Sequence, residues 1–282
     1  MEPPQLSIVI VNWNTRDLLA RCLDSIRQYP LNAGTEIIVV DNASGDGSAE
    51  MVSSRYPHVR LLANTDNVGY AAGNNQGVRE ADGEMLLLLN PDTEVGPNTL
   101  CRALDCWQRH PEAAAVGARL VSTDQSVQRS VRGFPSPSNL MLELIGLSRV
   151  SPRFDRYWLR HFDYDQEQPA PQPMGTFLMI SHEVWDRVGP FDEQFPIFFN
   201  EVDWLMRASG LGRTAWYCPG CVVMHVGGAS TRQRRREMVL ESHASLLRLL
   251  DKHYHSSRRP HLWPLRGLIR LGCLVRCGRW PS

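Results

Sequence analysis

The stretch LSIVIVNWNTRDLLARCLDSIRQYPLNAGTEIIVVDN, residues 6–42, decides how the chain folds. Residues 6–12 are an apolar run closed by a polar residue, the pattern of a strand buried on both faces. Residues 15–28 change period: Leu18, Leu19, Cys22, Leu23 and Ile26 fall on one side of a helix. Residues 36–40 form a second buried strand that runs into Asp41. Downstream, residues 59–63, 85–89 and 113–121 read as strands, and 70–81 and 96–109 as helices. This alternation predicts an α/β fold with a mostly parallel sheet flanked by helices. In such sheets ligands bind outside the carboxyl ends of the strands. Asn12-Trp13-Asn14, Asp41-Asn42-Ala43-Ser44 and Asn90-Pro91-Asp92 all stand at such ends, so one rim is expected to carry all three.

Composition narrows the classes. The chain has 282 residues, 43% hydrophobic and 21% charged, which is enough to bury a core and too apolar for a disordered chain. Thirty basic and thirty acidic residues cancel, and no nucleic-acid partner is expected. The balance is uneven: residues 232–282 hold 12 Lys/Arg against 3 Asp/Glu, leaving 18 against 27 in residues 1–231. A basic tail on an acidic body points to an anionic surface as the tail's partner. No leader is visible, and no apolar run reaches the roughly 18 residues of a membrane span. Seven cysteines, an odd number in a chain of this size, read as mostly reduced thiols in a cytoplasmic setting.

The middle, residues 122–173, is proline-rich and irregular, with a short helix over 139–147. Order returns with a strand at 174–180 and helices at 182–188 and 201–209. Short strands follow at 214–226, then a helix at 232–255. Domain boundaries follow these shifts: 1–120, 121–231, and a basic helical tail at 232–282.

Several clusters carry chemistry. Asp41, at a strand end, suits hydrogen bonds from a base or ribose, although the same residues make an ordinary Asx turn. Residues 67–77, NVGYAAGNNQG, bring small residues to a helix start near a phosphate; tight helix–sheet packing explains them equally. Asp92, after a buried strand, can hold a divalent cation, yet Asn90-Pro91-Asp92-Thr93 is also a good turn. Glu201 and Asp203 lie among Phe195, Phe198, Phe199 and Trp204, and apolar neighbours raise a carboxylate toward general-base strength. His225 is a metal or phosphate partner, or a structural histidine. Cys218-Pro219-Gly220-Cys221 with His225 resembles half of a zinc or redox site whose second pair is not evident in the sequence.

Taken in order, SIVIVNWNT, VVDNASGDGS, NVGYAAGNNQG, LLLLNPDTEV, MGTFLMI, FDEQF…FFNEVDW and VVMHVGGAS resemble the inverting family 2 glycosyltransferases of the GT-A fold. The rhamnosyltransferase-like bacterial branch, which builds surface polysaccharide, is the most similar. The resemblance implies a nucleotide-diphosphate sugar donor and a saccharide or lipid-linked acceptor. It implies donor contacts from Asn12, Asn14, Asp41, Asn42, Ser44, Asn67, Gly69, Asn74, Asn90, Asp92, Gly175 and Thr176. It also implies Mg²⁺ or Mn²⁺ at Asp92 and His225. Two positions depart from the family pattern: Asn90 stands where an acid is common, and Asn200-Glu201-Val202-Asp203 replaces Glu-Asp-x-Asp. Glu201 is therefore the expected base, with Asp203 as a second base or an orienting group. A nucleotidyltransferase and a non-catalytic scaffold in a membrane complex are the alternatives. The tail, with Trp263, Leu265, Leu268, Ile269, Leu271, Leu274, Val275 and Trp280 among arginines, suits an interfacial helix on an anionic cytoplasmic leaflet, or one packed on the domain.

Overall fold

The computed structural model describes residues 5–31, 34–228 and 231–277. The first half alternates as the sequence predicts: β1 (Leu6–Asn12), α1 (Arg16–Gln28), β2 (Thr35–Asp41), α2 (Ser48–Arg55), β3 (Arg60–Ala63), α3 (Tyr70–Arg79) and β4 (Met85–Leu89). A short β5 (Thr93–Val95), α4 (Thr99–Arg109) and β6 (Val116–Val121) follow. The irregular middle contains β7 (Val131–Arg132), α5 (Pro137–Leu144), α6 (Leu147–Val150), β8 (Gln168–Pro169) and β9 (Gln172–Pro173). The rest is β10 (Phe177–Ser181), α7 (His182–Val188), α8 (Asn200–Gly210), β11 (Trp216–His225), α9 (Arg235–Tyr254) and α10 (Trp263–Cys277).

The main sheet runs β3-β2-β1-β4-β10-β6-β11-β5, with β8 beside β11; β7 and β9 form a separate ribbon. β3, β2, β1 and β4 are parallel neighbours, whereas β10 is antiparallel to both β4 and β6. Strand alternation divides the apolar side chains between two cores. Leu6, Ile8 and Ile10 face the layer of α1, α2 and α4, while Val9 and Val11 face that of α3, α7 and α8. A strand that feeds two cores must be apolar at nearly every position, which is why LSIVIVN shows no alternation. Each such side chain contributes about 1.5–3 kcal/mol on burial.

The glycines of α3 allow a close approach. A Cβ at Gly77 would lie 2.3 Å from Val9 Cγ1, and one at Gly73 would lie 2.8 Å from Val11 Cγ1. The helix therefore rests against β1 through its glycine side, as the packing reading of residues 67–77 requires.

Register places the functional ends. β1 and β2 finish together with Asn12 opposite Asp41. The antiparallel β10 begins where β4 ends, Phe177 opposite Leu89, so Gly175 and Thr176 arrive beside Asn90. β11 pairs antiparallel with β5, His225 opposite Thr93, which sets the imidazole next to Asp92.

Candidate active site

These strand ends open into one cleft of about 840 Å³. Asn12, Asn42, Asn67, Gly69, Asn90, Asp92, Gly175, Thr176, Glu201 and His225 all line it. The wall also includes Arg234, just before α9, and Glu237, Met238 and Ser242 of α9, which sequence spacing had grouped with the tail. Arg234 lies over the Trp13 ring at 5.2 Å, and Gln233 donates to the Asn14 carbonyl at 2.9 Å.

Asp92 and His225 form the polar end of the cleft. Both are buried, with His225 Nε2 3.6 Å from Asp92 Oδ1. Gln128 Nε2 donates to the His225 carbonyl at 2.8 Å, which leaves Gln128 Oε1 to accept from Nδ1–H at 2.9 Å. This network assigns the proton to Nδ1 and leaves a lone pair on Nε2 facing the carboxylate. Burial lowers the imidazole pKa, against an opposing pull from Asp92. A neutral nitrogen and a carboxylate aimed into the same gap have the donor chemistry of a divalent-cation site.

Glu201 sits in the first turn of α8. Phe199, with φ of +67°, turns the chain into the helix. Asn200 is fully buried and donates to the carbonyls of Ile197 at 2.9 Å and Phe195 at 3.3 Å, while its Oδ1 accepts from the Glu201 amide at 2.8 Å. A carboxylate at position 200 could not donate to those carbonyls, which gives the departure at Asn200 a physical reason. Burial raises the Glu201 pKa, and the amides of residues 201 and 202 only partly offset it. A Cβ on Gly175 would come within 3.1 Å of Glu201 Cγ, so the glycine makes room for this side chain. Tyr70 stands alongside: its hydroxyl donates to Asn90 Oδ1 at 2.9 Å, with the Gly175 carbonyl at 3.2 Å.

Asp203 lies elsewhere. Its side chain is fully buried, does not line the cleft and binds two cations, Arg207 at 3.0 Å and Lys252 at 2.8 Å, and the imidazole of His253 at 2.8 Å. Burial alone would raise its pKa, but the hydrogen bonds from His253 and Lys252 and the charge of Arg207 outweigh this and hold it below the usual carboxylate range. Of the two roles expected for Asp203, this geometry suits orientation: it ties α8 to α9. Lys252, the sole lysine of the chain, also reaches Asp192 at 2.7 Å.

Four residues expected to meet the donor stand behind the cleft wall. Asn14, Asp41, Ser44 and Asn74 are not among the residues lining the cleft. Asp41 is buried, its Oδ1 accepting from Asn12 Nδ2 at 2.8 Å and its Oδ2 from the Ser44 amide at 2.9 Å. Ser44 Oγ accepts from Asn12 at 3.1 Å and from the Asn14 amide at 2.9 Å, and Asn14 Oδ1 accepts from Gly45. These side chains brace the rim from behind, as the turn reading has it. Asn74 Nδ2 donates back to the Tyr70 carbonyl. At the start of α3 the Tyr70 and Ala71 amides both donate to the Pro196 carbonyl, at 2.6 and 3.1 Å.

Sequence reasoning missed Tyr70, Gln128 and the β7–β9 ribbon. Gln128, Ser130 and Gln172 lie in the proline-rich middle, where no periodicity marks a face. Ser130 Oγ and Gln172 Oε1 are buried at the cleft wall and find no hydrogen-bond partner among the described residues. Arg132, also on the wall, stacks over Trp158 at 4.1 Å.

The model of the family described as glycosyl transferase family 2 matches residues 7–180. Among curated proteins, an N-acetylglucosaminyl-diphospho-decaprenol L-rhamnosyltransferase of Mycobacterium tuberculosis is 28% identical, over 94% of this chain and 91% of its own. Among solved structures, the mannosyltransferase PcManGT of Pyrobaculum calidifontis, in complex with GDP-Man and Mn²⁺, is similar with a TM-score of 0.58 and 20% identity, over 100% of this chain and 78% of its own. GalNAc-T7 with UDP, GalNAc and Mn²⁺ gives a TM-score of 0.62 and 16% identity over 89% of this chain, which spans only 48% of that one.

The Asp203 cluster has a measurable consequence. Asp203→Ala leaves Arg207, Lys252 and the His253 imidazole without their buried anion, so it is expected to cost about 3 kcal/mol in denaturant unfolding at neutral pH. Because the folded pKa of Asp203 is lowered, its stabilisation is complete above the unfolded value of about 4 and is lost as pH falls through the folded value. The gap between variant and wild type should therefore narrow in acid. Equal stability at neutral pH would contradict the assignment.

Proposed function

The chain belongs to glycosyl transferase family 2, and from that premise we propose that it moves one sugar, with inversion, from a nucleotide-diphosphate donor to a hydroxyl of a lipid-linked saccharide. The observation that carries this reading is the pairing, in one cleft, of a carboxylate with a raised pKa, Glu201, and a two-ligand cation seat, Asp92 and His225. Glu201 takes the proton of the acceptor hydroxyl, and that oxygen attacks the anomeric carbon as its bond to the diphosphate breaks. Asp92 and His225 would hold a divalent cation, Mg²⁺ or Mn²⁺, which would supply positive charge to offset that of the departing diphosphate. Gln128 keeps the His225 lone pair turned toward Asp92. Tyr70 holds Asn90 and the Gly175 carbonyl on the donor side, and Gly175 leaves Glu201 its space.

The donor sugar is proposed as a deoxyhexose of the rhamnose type and the product as cell-surface polysaccharide. Support comes from the named activity of the mycobacterial relative, which aligns along nearly the whole chain. Ser130, Gln172 and the Arg132–Trp158 pair are proposed to meet acceptor hydroxyls, since two of their polar atoms are buried without partners.

Among the described residues no helix is long and apolar enough to cross a membrane. One side of α10 packs on α9 through Leu265 and Cys273. Trp263, Leu268, Leu271 and Val275 are exposed, together with Arg270 and Arg276. We propose that this exposed side rests on an anionic cytoplasmic leaflet, where a lipid-linked acceptor would be found. Arg279 and Trp280, part of the same expectation, lie outside the described residues. Leu271→Glu with Val275→Glu should reduce sedimentation with phosphatidylglycerol vesicles severalfold and leave neutral vesicles unaffected; unchanged sedimentation refutes the docking.

Glu201→Gln tests the base. Turnover should fall by about 10²–10⁴-fold while donor affinity is kept. A carboxylate with a raised folded pKa gives up stability as pH rises through that value, so the variant should lose less stability than wild type between acid and neutral pH. Near-wild-type turnover would move the base elsewhere.

A further inference from the structure

Cys218-Pro219-Gly220-Cys221 takes no part in the transferase cleft, yet it does not stand alone. The four residues form a bulge at which the register of β11 against β6 shifts. Cys221 Sγ lies 2.8 Å from Cys218 Sγ. From α4, Cys106 brings a third thiol. Cys106 Sγ, Cys218 Sγ and a carboxylate oxygen of Glu167 all lie within 4.8 Å of one another. The three cysteines are buried, whereas the Glu167 side chain is 26% exposed and leaves an ion a way in from solvent.

Apolar packing accounts for buried cysteines. Beside them a carboxylate oxygen lies within 4.8 Å of two of the sulfurs, so sulfur and oxygen donors converge on one point. We propose that Cys106, Cys218, Cys221 and one oxygen of Glu167 form a structural zinc site. Three thiolates and a carboxylate are a tetrahedral zinc donor set, and thiolates discriminate against the hard cations suited to Asp92. The C-x₂-C turn supplies two ligands from one bulge. On binding, the thiol protons leave to solvent. The Cys218–Cys221 separation opens from 2.8 Å to about 3.8 Å, the edge of a tetrahedron with arms of about 2.3 Å.

The surroundings suit the charge. Zn²⁺ with four anionic ligands carries two net negative charges, and two arginines lie against the site. Arg109 grips Glu167 through Nε at 3.0 Å and a terminal nitrogen at 2.6 Å, and Arg102 donates to the Gly220 carbonyl at 3.0 Å. His110 donates to Glu167 Oε1 at 2.9 Å and fixes the carboxylate from outside. The metal would pin α4 to the β11 bulge, and β11 runs from there to His225.

The test uses the full chain purified under reducing conditions without chelator. One equivalent of zinc by elemental analysis is expected, lost in Cys221→Ser and retained in Asp92→Ala. Wild-type protein stripped of metal should take up one Co²⁺ with the visible bands of tetrahedral cobalt–thiolate coordination, displaced by Zn²⁺; this arm needs no variant to fold. Folded, reduced protein that shows no cobalt–thiolate band overturns the proposal. So does zinc that survives Cys221→Ser or leaves with Asp92→Ala, and so does a Cys218–Cys221 disulfide that persists under reduction.

Discussion

The pairing of Thr93–Val95 with Val223–His225 is the contact on which the rest of the cleft depends. It joins residues more than a hundred positions apart and faces a carboxylate oxygen with an imidazole lone pair at 3.6 Å. Neither group can donate a proton to the other while Gln128 holds Nδ1–H, so the pair is favourable only when something positive lies between them. A slip of one residue in this register would turn His225 to the opposite face of the strand. The backbone bond from the Val226 amide to the Asp92 carbonyl, at 3.0 Å, closes the ladder at that point.

A second constraint sets the other side of the cleft. Glu201 needs a short, sharply turned entry to α8, and three polar devices hold it. Asn200 satisfies two loop carbonyls, Pro196 ties the loop to the start of α3, and Asp203 anchors the helix to α9. Glu201, proposed as the base, has a raised pKa that costs stability, and the fully paired Asp203 two residues further on offsets part of that cost. The two acids of Glu201-Val202-Asp203 thus have opposite environments: one lines the cleft with its pKa raised by burial, the other is buried among cations with its pKa lowered.

Much of the fold was legible because its strands feed two cores and must be apolar throughout; β1 and β4 match their sequence boundaries residue for residue. The rim was legible because polar residues interrupt those runs where the strands end. The proline-rich middle was not, since two-residue strands and a buried Gln128 leave no periodic trace. The partners of Asp41 were not legible either, for a related reason. A polar residue at a strand end can face the ligand or brace the turn, and only the positions of Asn12 and Ser44 decide. The ligands that join Cys218 and Cys221 come from α4 and from the loop before β8, which no local spacing reveals.

The central claim is that Asp92 and His225 together form the divalent-cation seat for the donor diphosphate. Calorimetric titration of nucleoside diphosphate into wild-type protein and into Asp92→Asn, each with and without Mn²⁺, tests it most directly. Wild type should bind at least tenfold more tightly with Mn²⁺, and the variant should lose that increment while keeping the metal-free affinity. An equal Mn²⁺ enhancement in both proteins would contradict the claim.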